Sequence, residues 1–436
     1  MERGDSLIIP VAAREAADAG RVGPKAANLA ALGHAGLPVP DGFCLDARAY
    51  REQLQALELE AAARAVFGSD DGPLARRSAL TMKLGLMEQP IAPEILQPLL
   101  GAWRSLKERS GAPLVVRSSA LVEDRFGTSF AGQFESYLGL ADETGFLTAV
   151  RACWAALWST RALRYMATHD LDPADTAMAL LVQPLVAARA AGGALSRTAE
   201  GDILINATWG LGAAIAQGEV APDRYLIGRD GALKESQTGR GFNHAAGCAH
   251  GAATAWWRTR SGAARPCLEP AQAVELARMV RKTEDLMGLP VEIEWARDEA
   301  GFKLLQARPL HLQPAPVPDE MWRRHPRLNG QPAGVGWGTG RARVVNCECE
   351  LSRVAPGEVL VTRMAGPALA QILNRVAGVV AELGGSTSHL ASLARERGIP
   401  MVLGAHDATC RIPEGALVAV DGVAGVVRWM RSESRK

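Results

Sequence analysis

Glu382-Leu383-Gly384-Gly385-Ser386-Thr387-Ser388-His389 lies between two different patterns. The apolar run Val376–Val380 before it reads as a strand, and Leu390–Arg397 after it reads as a helix that stops at Gly398-Ile399-Pro400. Gly384 and Gly385 can take backbone angles that a Cβ forbids. Ser386, Thr387 and Ser388 are natural helix N-caps. His389 is therefore expected in, or just before, the first turn of a helix. There, unpaired N–H groups and the positive end of the helix dipole favour a neutral, nucleophilic imidazole and then a phosphoryl group attached to it. The plain alternative is a capped turn on which a histidine happens to lie.

Composition sets the frame. The chain has 436 residues, 48% hydrophobic and 22% charged, with a net charge of +1. That length suits two or three domains. The charge balance offers no nucleic-acid or membrane-surface signature. No apolar run approaches a bilayer span and no signal peptide is apparent. Seven scattered cysteines are expected as free thiols in a reducing, cytoplasmic setting.

Three other stretches carry chemistry. Val22-Gly23-Pro24-Lys25 through Leu32 reads as a glycine turn entering a helix, which puts Lys25 where a helix begins and a phosphate can be held. An exposed surface lysine is the common alternative. Leu114-Val115-Val116-Arg117-Ser118-Ser119-Ala120 reads as a buried strand, and its arginine needs a partner. A salt bridge to Glu123 or Asp124 would serve. Val291-Glu292-Ile293-Glu294-Trp295 and Lys303–Pro309 read as a β-hairpin. In it Glu292 and Glu294 share a face, as do Gln306 and Arg308. Carboxylate and amide oxygens suit Mg²⁺ alongside nucleotide phosphates, and arginine suits a transferring phosphoryl group. Cross-strand ion pairs on a solvated face are the alternative.

The segment Ala377–Gly404 closely resembles the phosphohistidine loop of the swivelling domain of PEP-utilising enzymes, the family of phosphoenolpyruvate synthase, pyruvate phosphate dikinase and rifampin phosphotransferase. The earlier stretches, with Gln183 at the end of the strand-like run Met178–Val186, resemble that family's nucleotide domain. The resemblance implies an α/β and α+β multidomain chain: an ATP-grasp nucleotide-binding domain over 1–312, a linker over 313–333 and a swivelling β/α phosphohistidine domain over 334–430. The linker contains five prolines. The resemblance makes His389 the phosphoryl carrier. It places Lys25, Arg117, Gln183, Glu294, Gln306 and Arg308 against ATP, and Glu294, Gln306 and Glu292 around Mg²⁺. Asp124 and Gln133 are further candidates.

The chain departs from the family pattern at Pro24, where a second glycine is usual, and at Ser196-Arg197-Thr198-Ala199, where Thr-x-Asn-Pro is usual. It departs again at Ala213, where a glutamate is common. The expected reaction moves a phosphoryl group from Mg·ATP to His389, with release of AMP and inorganic phosphate, and then to an acceptor through a covalent intermediate. No acceptor domain is recognisable, so an unidentified small molecule or a separate acceptor subunit is expected. A non-catalytic nucleotide-binding or regulatory partner and an ATP-dependent condensing enzyme are the competing readings.

Overall fold

The computed structural model describes residues 6–69, 72–123, 134, 136–239, 265–311, 322 and 325–430. Asp124 and Gln133, and most of the expected linker, lie outside the described residues. Two compact units emerge. One comprises Met1–Ala187 with Phe302–Arg308, the other Ala188–Gly301 with Pro309–Lys436. Both contain helices and sheets, so the chain is a mixed α/β multidomain protein. The stretch 1–312 is thus shared between the units. Among the described residues no helix is long and apolar enough to cross a membrane.

The first unit is built on a five-stranded antiparallel sheet of β1 (Ile8–Pro10), β2 (Phe43–Leu45), β3 (Leu114–Ala120), β4 (Ser136–Leu140) and β5 (Met178–Pro184), in the order β1-β2-β5-β3-β4. All residues of β3 except Arg117 are buried, as its unbroken apolar run demands. The helix Ala19–His34 begins four residues earlier than the glycine turn suggested and kinks at Gly23, whose φ is +75°. A Cβ on Gly23 would lie 2.3 Å from the Ser119 carbonyl oxygen, so glycine is needed both for the backbone angle and for the approach to β3. Pro24 then opens the second helical run, where a backbone N–H has no intrahelical partner to lose. Two residues on, the Ala26 N–H donates to Ser119 Oγ at 3.2 Å, so a strand hydroxyl does the work of a cap.

The second unit holds two sheets. The first runs β10 (Val291–Asp298), β6 (Ala190–Leu195), β7 (Ile203–Trp209), β8 (Asp223–Ile227) and β9 (Leu233–Gln237), all antiparallel. The helix Pro270–Met287 packs against it. β11 (Gly301–Pro309) follows β10 after a tight turn in which Asp298 Oδ1 accepts from the Ala300 N–H at 2.8 Å. The strands expected on both sides of that turn are therefore formed. The divergent 196–199 segment has a structural role here. Ser196 Oγ accepts from the Val291 N–H at 2.8 Å, and Arg197 donates to Glu284, which also receives Arg229 at 2.8 Å. Burial pushes the Glu284 carboxyl up, but the hydrogen bonds from Arg229 and then Arg197 outweigh it and hold the group below the usual carboxylate range.

The second sheet has eight strands, in the order β12 (Arg327–Asn329), β19 (Val426–Trp429), β18 (Leu417–Asp421), β14 (Trp337–Val345), β15 (Val359–Thr362), β16 (Gly378–Ala381), β17 (Met401–Leu403) and β13 (Gln331–Pro332). The pairs from β14 to β17 are parallel. Residues 327–332, which composition alone assigns to the linker, are strands of this sheet, and Leu328 joins its core with Val361, Val380, Val402 and Trp429. Parallel neighbours require a crossover. Between β16 and β17 that crossover is the glycine-rich loop and the helix His389–Glu396.

Two outcomes test this description. Gly23→Ala is expected to destabilise the first unit by about 1–3 kcal/mol, read from its denaturant midpoint; an unchanged midpoint would mean helix and strand are not held together at this point. Glu284→Gln is expected to lower the thermal midpoint of the second unit at pH 7. A depressed folded-state pKa gives stability that is fully present above the unfolded value and is lost as pH falls through the folded one. The deficit should therefore shrink below about pH 4.

Candidate functional site

In the first unit the site grows from the contact of one helix, one sheet strand and β11. Lys25, 7% exposed, follows the kink at Gly23. Its ammonium reaches Glu123 Oε1 at 2.6 Å and the Ser118 carbonyl at 3.0 Å. It is neither an exposed surface lysine nor isolated, since a buried cation needs such partners. These bonds engage two of its three donors. Arg117 extends from β3 and donates to the Leu305 carbonyl. Asn28, one helical turn after Lys25, donates to the Ala307 carbonyl at 3.2 Å. The Leu304 N–H donates to the Pro38 carbonyl at 2.8 Å.

Gln306 and Arg308, both buried, alternate with these anchored carbonyls along β11. Gln183 is paired opposite Val115 while Leu181 is paired opposite Arg117, so Gln183 lies on the same sheet face as Arg117. Its amide donates to the Pro40 carbonyl at 2.9 Å. Lys25, Arg117, Gln183, Gln306 and Arg308 are thus gathered in one unit.

Glu292, Glu294 and His389 belong to the other. The loop reads locally as its sequence suggests. Gly384 has φ +106°, and Ser388 caps the helix by accepting from the Ala391 N–H at 3.2 Å. His389 is the first helical residue and is half-buried. The seat beneath the loop is a tertiary feature. The Gly384 N–H donates to the Val220 carbonyl at 3.0 Å. Asn206 donates to Gln331 Oε1 at 3.1 Å and accepts from Thr387 Oγ1 at 3.4 Å, while Ser386 hydrogen-bonds Gln331 and the Pro332 carbonyl. A Cβ on Gly385 would come within 2.7 Å of Pro222, and one on Gly193 within 2.6 Å of Thr387.

The register then places the carboxylates. Gly193 pairs with Glu294, and Leu195 with Glu292. Paired residues share a face, so Thr387 rests on the sheet face that carries both glutamates. Glu294 is half-buried; Glu292 is 5% exposed and accepts from Ser392 Oγ at 2.8 Å and Arg395 at 2.8 Å. Sequence reasoning gave no role to Asn28, Asn206, Gln331, Ser392 or Arg395. The legible signal was a serine and an arginine spaced i, i+3 in the run Leu390–Arg395, whose other residues are Leu and Ala.

Among the described residues no group of three His, Cys, Asp or Glu side chains is placed to hold a metal. Mg²⁺ can be bound by one or two carboxylates together with substrate phosphates, so a site of that kind needs no such cluster.

The model of the pyruvate phosphate dikinase AMP/ATP-binding domain matches residues 19–325, and that of the mobile domain of PEP-utilising enzymes matches 354–425. Phosphoenolpyruvate synthase of Pyrococcus furiosus is 30% identical over 93% of this chain and 56% of its own length. The probable phosphoenolpyruvate synthase of Methanothermobacter thermautotrophicus is 31% identical over 97% of this chain and 64% of its own. The Escherichia coli phosphoenolpyruvate synthase is 28% identical over 95% and 56%. The chain therefore spans little more than half the length of these relatives. With a family model covering most of its residues and a mobile-domain match following it, the chain belongs to the phosphoenolpyruvate synthase and pyruvate phosphate dikinase family.

Proposed function

We propose that the chain is an ATP-dependent phosphotransferase of the dikinase type that loads His389 from Mg·ATP. The observation that carries this reading is the seating of the Ser386-Thr387-Ser388 loop, with His389 next in sequence, on the sheet face of Glu292 and Glu294. Each residue then has a role. Lys25, Arg117 and Arg308 neutralise nucleotide phosphates, and Gln183 and Gln306 supply amides to orient them. Glu294, with Gln306, would hold Mg²⁺, which would supply electrostatic stabilisation to the charge developing on the phosphates; Glu292, engaged by Ser392 and Arg395, would orient the strand that bears Glu294.

A ring nitrogen of His389 forms a bond to the β-phosphorus as the bond from that phosphorus to the AMP oxygen breaks. Water takes the terminal phosphate, leaving AMP, inorganic phosphate and phosphohistidine. The helix start at His389 favours the anionic product. The second half-reaction hands the group to a small-molecule acceptor, bound here or on a separate subunit. The names of the relatives point to pyruvate chemistry for that step.

The test uses ATP labelled at the β-phosphate, with peptide mass mapping and AMP release. Label is expected on His389, acid-labile and absent in His389→Ala. Glu294→Gln should slow labelling by about 10²-fold or more. Undiminished labelling of His389→Ala would sink the proposal. Tight nucleotide binding without turnover would favour a non-catalytic partner instead.

A further inference from the structure

Arg395 is 4% exposed and Glu292 5%. They come from different layers of the second unit, the arginine from the helix that His389 opens and the glutamate from β10. The guanidinium divides its donors between the layers. Nη1 binds the Ser386 carbonyl at 2.6 Å and the Ala333 carbonyl at 3.3 Å, which fixes the shape of the histidine loop and ties it to the chain leading into β14. Nη2 binds Glu292 Oε2 at 2.8 Å and Ser392 Oγ at 3.1 Å. Ser392 in turn donates to the same carboxylate. Arg395 is thus joined at once to the loop that precedes His389 and to the strand that carries Glu294.

We propose that the Glu292–Arg395 pair, assisted by Ser392, is a latch that positions the His389 helix on the sheet face of Glu294. Both are positioning residues, because they act on His389 through the loop and helix. The chemistry supports this assignment. The arginine's bonds to Ser386, Ala333 and Ser392 lie within its own layer and hold the loop whether or not it is seated. Glu292 comes from the opposing layer, and lifting the loop would leave two buried charges without each other. Such pairs are costly to break from one side, and Ser392 and Arg395 together hold the Glu292 carboxylate in one orientation. The rest of the seat is uncharged: one backbone hydrogen bond from Gly384 to Val220, the hydrogen bond of Asn206 to Gln331 at 3.1 Å, the 3.4 Å contact of Thr387 to Asn206, and glycines that give way to the loop. The latch therefore sets how often the carrier occupies the loading position. Its role in phosphoryl loading rests on the reading of His389 as the carrier.

The test is amide hydrogen exchange on the full chain. The Gly384 N–H reports seating directly, because its acceptor Val220 lies in the other layer. The Val379 N–H, bonded to Pro400, and the Gly210 N–H, bonded to Arg189, report the integrity of each layer. Glu292→Gln and Arg395→Gln are each expected to raise exchange at Gly384 by about tenfold or more, with Val379 and Gly210 unchanged. In the double variant the second substitution should add little, which separates a coupled latch from an independent metal-ligand role of Glu292. Equal loss of protection at all three amides, additive effects, or full protection at Gly384 would overturn the proposal. β-phosphate labelling is followed in parallel, with kcat for loading expected to fall in Arg395→Gln at unchanged KM for ATP. Loss of seating with no labelling even in the parent chain would leave the latch standing and count against the carrier reading.

Discussion

A guanidinium cannot be buried without acceptors, and Arg395 is buried almost completely. Its acceptors are a carboxylate from β10, a serine hydroxyl on its own helix and two main-chain carbonyls. That requirement links the histidine loop, the entry to the last sheet and the strand that carries Glu294. The loop can then approach so closely only because Gly193 and Gly385 present no side chain. Charge pairing and steric clearance together fix where His389 stands relative to the glutamate face.

The first unit solves a parallel problem differently. Lys25 is also buried, and Glu123 and the Ser118 carbonyl balance it. Arg117 and Asn28 spend their donors on carbonyls of β11, so the strand bearing Gln306 and Arg308 is held by residues about 190 to 280 positions earlier in the chain. The basic groups suited to phosphate are thus pre-positioned by protein partners. Preorganisation of this kind lowers the ordering cost of binding a polyanion.

Much of this was legible locally. Strand, glycine turn, serine cap and helix around His389 follow from period and propensity, and the structure places them within two residues of the sequence reading. Alternation along Glu292–Glu294 gave their common face, and the register with Gly193 and Leu195 gave that face its neighbour. Residues 327–332 read as linker because prolines and charges obscure two very short edge strands, whose pairing with β17 and β19 is long-range. Ser196–Ala199 read only as a departure from the family pattern, whereas Ser196 and Arg197 bind β10 and Glu284, partners far along the chain.

The sequence by itself determined the local elements, the place of His389 at a helix start and the inventory of groups able to handle phosphate. Each depends on contacts within a few residues, where periodicity, caps and turn preferences act. Tertiary structure alone decided that Lys25 pairs with Glu123, that Asn206 and Gln331 lie under the loop, and that Glu292 meets Arg395. Those partners are 98, 125 and 103 residues apart in sequence. No local propensity encodes such pairings; they follow from the need to satisfy every buried charge and hydrogen-bonding group once the layers close.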